Sequence, residues 1–166
     1  NACVVLEEHR APVTTNSAAG TGPYLVVLSA RTVDRLTESA KQLLDHVERT
    51  ADIDLAALSF TLQVGREAMT ERLALIVANA TELKQKLRAW LTDNTSASGY
   101  RGTVAPGRAN KRPASSADQE LTALAKAWVA GAQIDWDRLY AGGLPKRVSL
   151  PTFPFAKEHY WVSQSG

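Results

Sequence analysis

The chain has 166 residues, 45% of them apolar and 22% charged, with 19 basic and 17 acidic side chains for a formal net charge of +2. That length suits one domain, or one domain with an extension, and such an apolar share excludes a disordered chain while so even a charge balance argues against a dedicated nucleic-acid binder. No run approaches the roughly 18 apolar residues of a membrane span, and a single cysteine excludes an internal disulfide framework and a cysteine-based metal site.

Residues 1–8 read as a short apolar strand, Ala2 to Leu6, closed by Glu7 and Glu8. The run is too short, and too soon followed by acids, for a signal peptide. A strand with no neighbour leaves its backbone groups unpaired, so this one is expected to be the last strand of a domain upstream. Residues 9–22, rich in Ala, Thr, Ser, Pro and Gly, read as a linker. Tyr24-Leu25-Val26-Val27-Leu28-Ser29 is a continuous apolar run and predicts a buried strand. Thr32 can cap a helix reaching about Arg49, whose stripe is Val33, Leu36, Ala40, Leu43, Leu44 and Val47. Asp54 is a second N-cap; Leu55, Leu58 and Leu62 form the next stripe, and Gly65 is placed at C′.

Residues 72–78 read as a strand. Asn79 with Glu82 resembles a capping box that opens a helix burying Leu83, Leu87, Trp90 and Leu91. After a turn-rich break, residues 100–104 predict a last strand. The order strand–helix–helix–strand–helix–strand predicts an α+β fold, a small three-stranded sheet with helices packed on one face. A helical and extended C-terminal tail follows. Residues 105–117, with Arg108, Lys111 and Arg112 among prolines and serines, read as a solvated linker with too few cations for strong phosphate binding. Ser116 and Gln119 can cap a helix over 118–130 with Leu121, Leu124 and Trp128 on one face, ended by Gly131. Asp135 caps a short turn over 136–140, stopped by Gly142-Gly143.

The closing stretch, Leu150-Pro151-Thr152-Phe153-Pro154-Phe155 and then Glu158-His159-Tyr160-Trp161, is the most informative. Two prolines hold it extended and bar it from a central strand. Its aromatics would form an apolar patch that soluble monomers avoid exposing, so it is expected to clasp this domain or a neighbour. Pro151-Thr152-Phe153-Pro154 also matches a P-x-x-P ligand, but interleaved aromatics favour the clasp. The interaction residues expected are Leu150, Pro151, Phe153, Pro154, Phe155, Tyr160 and Trp161, with Trp136.

These residues resemble the Leu-Pro-Thr-Tyr-Pro-Phe…Tyr-Trp signature found after ketosynthases in modular polyketide synthases. Asn1-Ala2-Cys3-Val4-Val5-Leu6-Glu7-Glu8 resembles the last ketosynthase strand, where the family usually has His at the place of Cys3. Leu28-Ser29-Ala30-Arg31-Thr32, the stretch from Leu58 to Arg66, Met69 to Ala74, and Ala132 to Tyr140 resemble the ketosynthase–acyltransferase linker. Between Leu91 and Arg147 there is no room for an integral acyltransferase. The chain therefore resembles the ketosynthase flanking subdomain, or acyltransferase docking domain, of a trans-acyltransferase synthase.

That resemblance implies a cytoplasmic, non-catalytic adaptor without a cofactor, metal or catalytic residue. Its expected partners are an adjacent ketosynthase in the same polypeptide, a free-standing acyltransferase it recruits, and an acyl carrier protein nearby, with no nucleic acid and no membrane. The alternative is a fragment of a β-ketoacyl synthase that only supports the condensation. The implied divisions are 1–8 ketosynthase strand, 9–22 linker, 23–104 α+β domain, 105–117 linker, and 118–166 helices and clasp. Catalytic constellations are sparse in the residues themselves. There is no Gly-x-Ser-x-Gly elbow and no dinucleotide fingerprint at Gly20-Thr21-Gly22. His9, His46 and His159 lack ligand spacing. Asp135 and Asp137 read as cap and surface charge, and Cys3 as a small strand residue. The sequons at Asn79 and Asn94 are weak signals alone. Trp90 and Trp128, on apolar helical faces, read as packing anchors.

Overall fold

The computed structural model describes residues 22–93, 99–105, 121–140 and 143–151. Strand β1 (Tyr24–Ala30) is followed by helices α1 (Val33–Arg49) and α2 (Leu55–Val64), strand β2 (Glu71–Val77), helix α3 (Ala80–Asp93), strand β3 (Tyr100–Thr103) and helix α4 (Leu121–Val129). A turn of 3-10 helix, Trp136–Tyr140, comes last. The fold is α+β, with the expected three-stranded sheet in the order β1-β2-β3. Both pairings are antiparallel, running from Tyr24↔Val77 to Ala30↔Glu71 and from Glu71↔Thr103 to Ala74↔Tyr100.

The helix starts follow their side chains. Thr32 Oγ1 accepts the Arg35 N–H at 3.4 Å, and Asp54 Oδ1 accepts the Ala57 N–H at 3.0 Å. Asn79 Oδ1 takes the Glu82 N–H at 2.8 Å, while the Glu82 carboxylate reaches back one residue further than a standard capping box, to the Ala78 N–H at 2.7 Å. Gly65 differs from its expected role. Its φ is −84°, right-handed, and what demands glycine there is space: a Cβ would lie 2.5 Å from the Thr61 carbonyl oxygen. Gly131, by contrast, is left-handed, at φ 101°. Its N–H bonds the Trp128 carbonyl and the Ala132 N–H bonds the Ala127 carbonyl, a Schellman closure of α4.

Strand residues alternate faces, so the register assigns each helix to a side. Leu28 lies beside Ser39 and Leu43 of α1. That face carries α1 and α3, which pack on each other through Leu36, Ala40, Leu43 and Val47 and through Leu83, Leu87 and the fully buried Trp90. An Arg88–Glu48 ion pair bridges the two helices at the surface. Ser29, Arg72 and Gly102 are register partners on the opposite face. There Arg72 Nη1 donates to the Trp128 carbonyl at 2.7 Å, and a Cβ on Gly102 would strike the Val129 carbonyl. Helix α4 thus covers the second face and joins the same core through Leu124, Ala125, Trp128 and Val129. This explains why every residue from Leu25 to Ala30 is buried rather than every second one.

Helix α2 lies along the free edge of β1. Gln63 Nε2 donates to the Leu25 carbonyl at 2.8 Å, satisfying an edge acceptor from the side chain. Ser29 Oγ donates to the Glu67 carbonyl at 3.2 Å and accepts the Met69 N–H at 3.1 Å, holding the turn after α2 to the same edge.

Candidate functional site

Helix α2 reads Leu-Ala-Ala-Leu-Ser-Phe-Thr-Leu-Gln-Val, apolar nearly all the way round. A helix of that kind needs cover on more than one side. Leu55, Leu58 and Leu62 enter the core, and the C-terminal chain covers the other side. Phe60 meets the Tyr140 ring edge-on, with centroids 5.1 Å apart and planes at 79°. The Tyr140 hydroxyl donates to Gln63 Oε1 at 2.8 Å. Gln63 therefore links the 3-10 helix to β1 with one side chain. Burial pushes the Tyr140 phenol up to about 12.

The extended segment 143–151 then crosses α2. The Val148 N–H donates to Thr61 Oγ1 at 2.9 Å, and Thr61 Oγ1 itself donates to the Ala57 carbonyl at 2.7 Å. Arg66 Nη2 donates to the Pro151 carbonyl. Leu150 is half-buried in a recess with Leu28, Leu43 and Leu62. Two of the expected clasp residues, Leu150 and Pro151, thus lie on α2, and Trp136 is half-buried against the core. Phe153, Pro154, Phe155, Tyr160 and Trp161 lie outside the described residues, as do the strand expected over 1–8 and Cys3. Phe60, Thr61 and Gln63 were not legible as tail contacts, although apolar residues nearly all the way round α2 are a signal that a second side is covered.

Beside this strap is a cavity of about 480 Å³ between α2, the sheet and the end of α4. Arg66, Arg72, Gln63, Trp128 and Trp136 line it, with exposed Glu67. Burial lowers the pKa of both arginines from their ordinary value. Trp90 and Trp128 are buried packing residues. Asp135 pairs with Arg138 at 3.1 Å, and its carbonyl accepts the Arg138 N–H. Among the described residues no group of three or more His, Cys, Asp or Glu could hold a metal, and no helix is long and apolar enough to cross a membrane.

Residues 27–94 match the family described as "RhiE-like, KS-MAT linker domain". Polyketide synthase PksN of Bacillus subtilis (strain 168) is 37% identical over 99% of the chain, and polyketide synthase ThaG of Burkholderia thailandensis is 35% identical over 98%. The chain spans 3% of each of these relatives. Among solved structures, ketosynthase twelve of the bacillaene polyketide synthase of Bacillus amyloliquefaciens is 38% identical with a TM-score of 0.74, over 86% of this chain and 26% of that one. The module 6 ketosynthase of the bacillaene synthase of Bacillus subtilis 168 is 33% identical, also at 0.74, over 84% and 28%.

Proposed function

We propose that this chain, whose residues 27–94 match the RhiE-like ketosynthase–acyltransferase (KS-MAT) linker domains, is a non-catalytic adaptor fixing the geometry beside a ketosynthase in a trans-acyltransferase polyketide synthase. The observation that carries this is the alignment of most of the chain with about a quarter of chains crystallised as ketosynthases. A segment that recurs inside those polypeptides is suited to hold a fixed surface next to the condensing domain. The strap supports the role physically. Residues 143–151 are fastened to α2 by the Thr61, Arg66 and Leu150 contacts, so whatever follows leaves from a defined point. Docking a pre-extended proline segment also loses less conformational entropy than docking a free coil.

The trans-acyltransferase assignment rests on the interval between α3 and the strap. It holds one short strand, one helix and one 3-10 turn among the described residues, against the whole catalytic domain that an integral acyltransferase would require. On this reading residues 1–8 close the upstream ketosynthase, 9–22 and 105–117 are linkers, 23–104 is the flanking domain, and Phe153, Pro154, Phe155, Tyr160 and Trp161 continue the clasp. Titrating the chain against the parent ketosynthase with this region deleted is expected to give saturable binding. Failure to associate, with both pieces folded, would overturn the adaptor reading.

Recruitment of a free-standing acyltransferase is a second role. The words KS-MAT in the family's description favour it, and the exposed sides of α1 and α3 are the candidate surfaces. A substitution scan of both that leaves acyltransferase binding and extender loading unchanged would remove this role and leave the structural one.

A further inference from the structure

Arg72 is 5% exposed and lies in the wall of the cavity. Its Nε donates to the Met69 carbonyl at 2.9 Å and its Nη1 to the Trp128 carbonyl at 2.7 Å, with the guanidinium carbon 5.2 Å from the Trp128 ring centroid. Fastening α4 to the sheet uses those two nitrogens. Nη2 makes no hydrogen bond among the described residues, yet it is not among the side-chain atoms sealed from solvent without a partner, so it opens on the cavity. No described carboxylate lies within ion-pair distance of this guanidinium. A desolvated cation held only by carbonyls keeps most of its charge available to an anion.

The rest of the cavity narrows the class of anion. The one open nitrogen of Arg72 offers a charge-assisted hydrogen bond to a single anionic oxygen, such as a monoanion presents. Trp128, Trp136 and Ile134 supply apolar wall. The volume of about 480 Å³ lies in the range of small-ligand sites and is far more than a few waters at about 30 Å³ each. A carboxylate oxygen meets that nitrogen in charge as well as in hydrogen-bond geometry. We propose that this cavity is a binding site for a monocarboxylate carried on an apolar or aromatic body, with Arg72 as its cationic contact. The carboxylate can belong to a free organic acid or to a Glu or Asp side chain of a polypeptide segment. This inference is independent of the adaptor reading, since it concerns only groups within the described chain.

The test uses the whole chain and needs no variant at Arg72, whose bonds to α4 are structural. Phenylpropionate and its neutral amide are titrated in parallel by heteronuclear NMR, following the indole N–H signals. The acid is expected to shift the Trp128 and Trp136 signals saturably, and the amide to bind about tenfold more weakly or less. A pair of short peptides, Phe-Glu and Phe-Gln with blocked ends, identifies the source: preference for the Glu peptide over phenylpropionate assigns a polypeptide ligand, and the reverse a free acid. Equal affinity for acid and amide, saturation without movement of those two indoles, or no binding of either acid at about 10 mM would overturn the proposal.

Discussion

Replacing Gly102 by alanine tests the placement of α4 directly. Gly102 pairs with Arg72 in the sheet, and a Cβ there would strike the Val129 carbonyl oxygen, lie 2.8 Å from its carbon and 3.1 Å from the Val129 Cβ. Backbone is the obstacle, so no side-chain rotation relieves it. Two responses are open. Sheet and helix can separate slightly, at the roughly 1–3 kcal/mol typical of overpacking. Alternatively α4 can release, exposing Leu124, Trp128 and Val129, each worth about 1.5–3 kcal/mol when buried. Separation is the smaller loss, even after alanine recovers about 0.5–1 kcal/mol of strand propensity over glycine. A net destabilisation of about 1–2 kcal/mol is expected, lowering the melting temperature by several degrees. The loss should come with faster amide exchange in α4 and a changed Trp128 environment. Gly22→Ala, where a Cβ meets nothing within 4 Å, is the control and should be neutral. If Gly102→Ala matched wild type in urea unfolding and in α4 exchange, the packing of α4 on this face would be wrong.

Gln63→Leu removes the donor to the Leu25 carbonyl and the acceptor for Tyr140, and leaving two polar partners unsatisfied should cost about 1–3 kcal/mol by urea titration. Because burial raises the Tyr140 phenol to about 12, its contribution is complete below the unfolded value near 10 and is lost as pH rises through about 12. Alkaline unfolding should therefore be less steep in Tyr140→Phe across that interval; identical profiles would refute the assignment. Asn79→Ala removes the acceptor for the Glu82 N–H and should cost about 0.5–2 kcal/mol, read as lower stability and earlier fraying of α3 in hydrogen exchange. Thr61→Val deletes the acceptor for the Val148 N–H while keeping side-chain shape, and should raise exchange at Val148 with a stability loss of about 1 kcal/mol.

Between residues 24 and 104 the elements were legible to within a residue or two, because their signals are local, whereas the expected strand over 1–8 and the expected start of the 118–130 helix lie outside the described residues. Thr32, Asp54 and Asn79 offer oxygens to the first turns of their helices. The stripes of α1 and α3 give the faces that end up buried. The family was legible too, in motifs that need no coordinates. Tertiary structure alone decided where the faces go. A stripe on residues 121–129 reports that α4 is covered on one side, but not that its partner is the far face of the sheet, since periodicity carries no address. The unbroken apolar run Leu25-Val26-Val27-Leu28 was the available clue to a second layer, because a strand alternates only when one of its faces meets water. Arg72 and Gln63 were equally unreadable: nothing local distinguishes a surface arginine or glutamine from one whose partners lie 56 or 38 residues away. Their roles arise only when the sheet brings the end of α4 and the edge of β1 within hydrogen-bond reach.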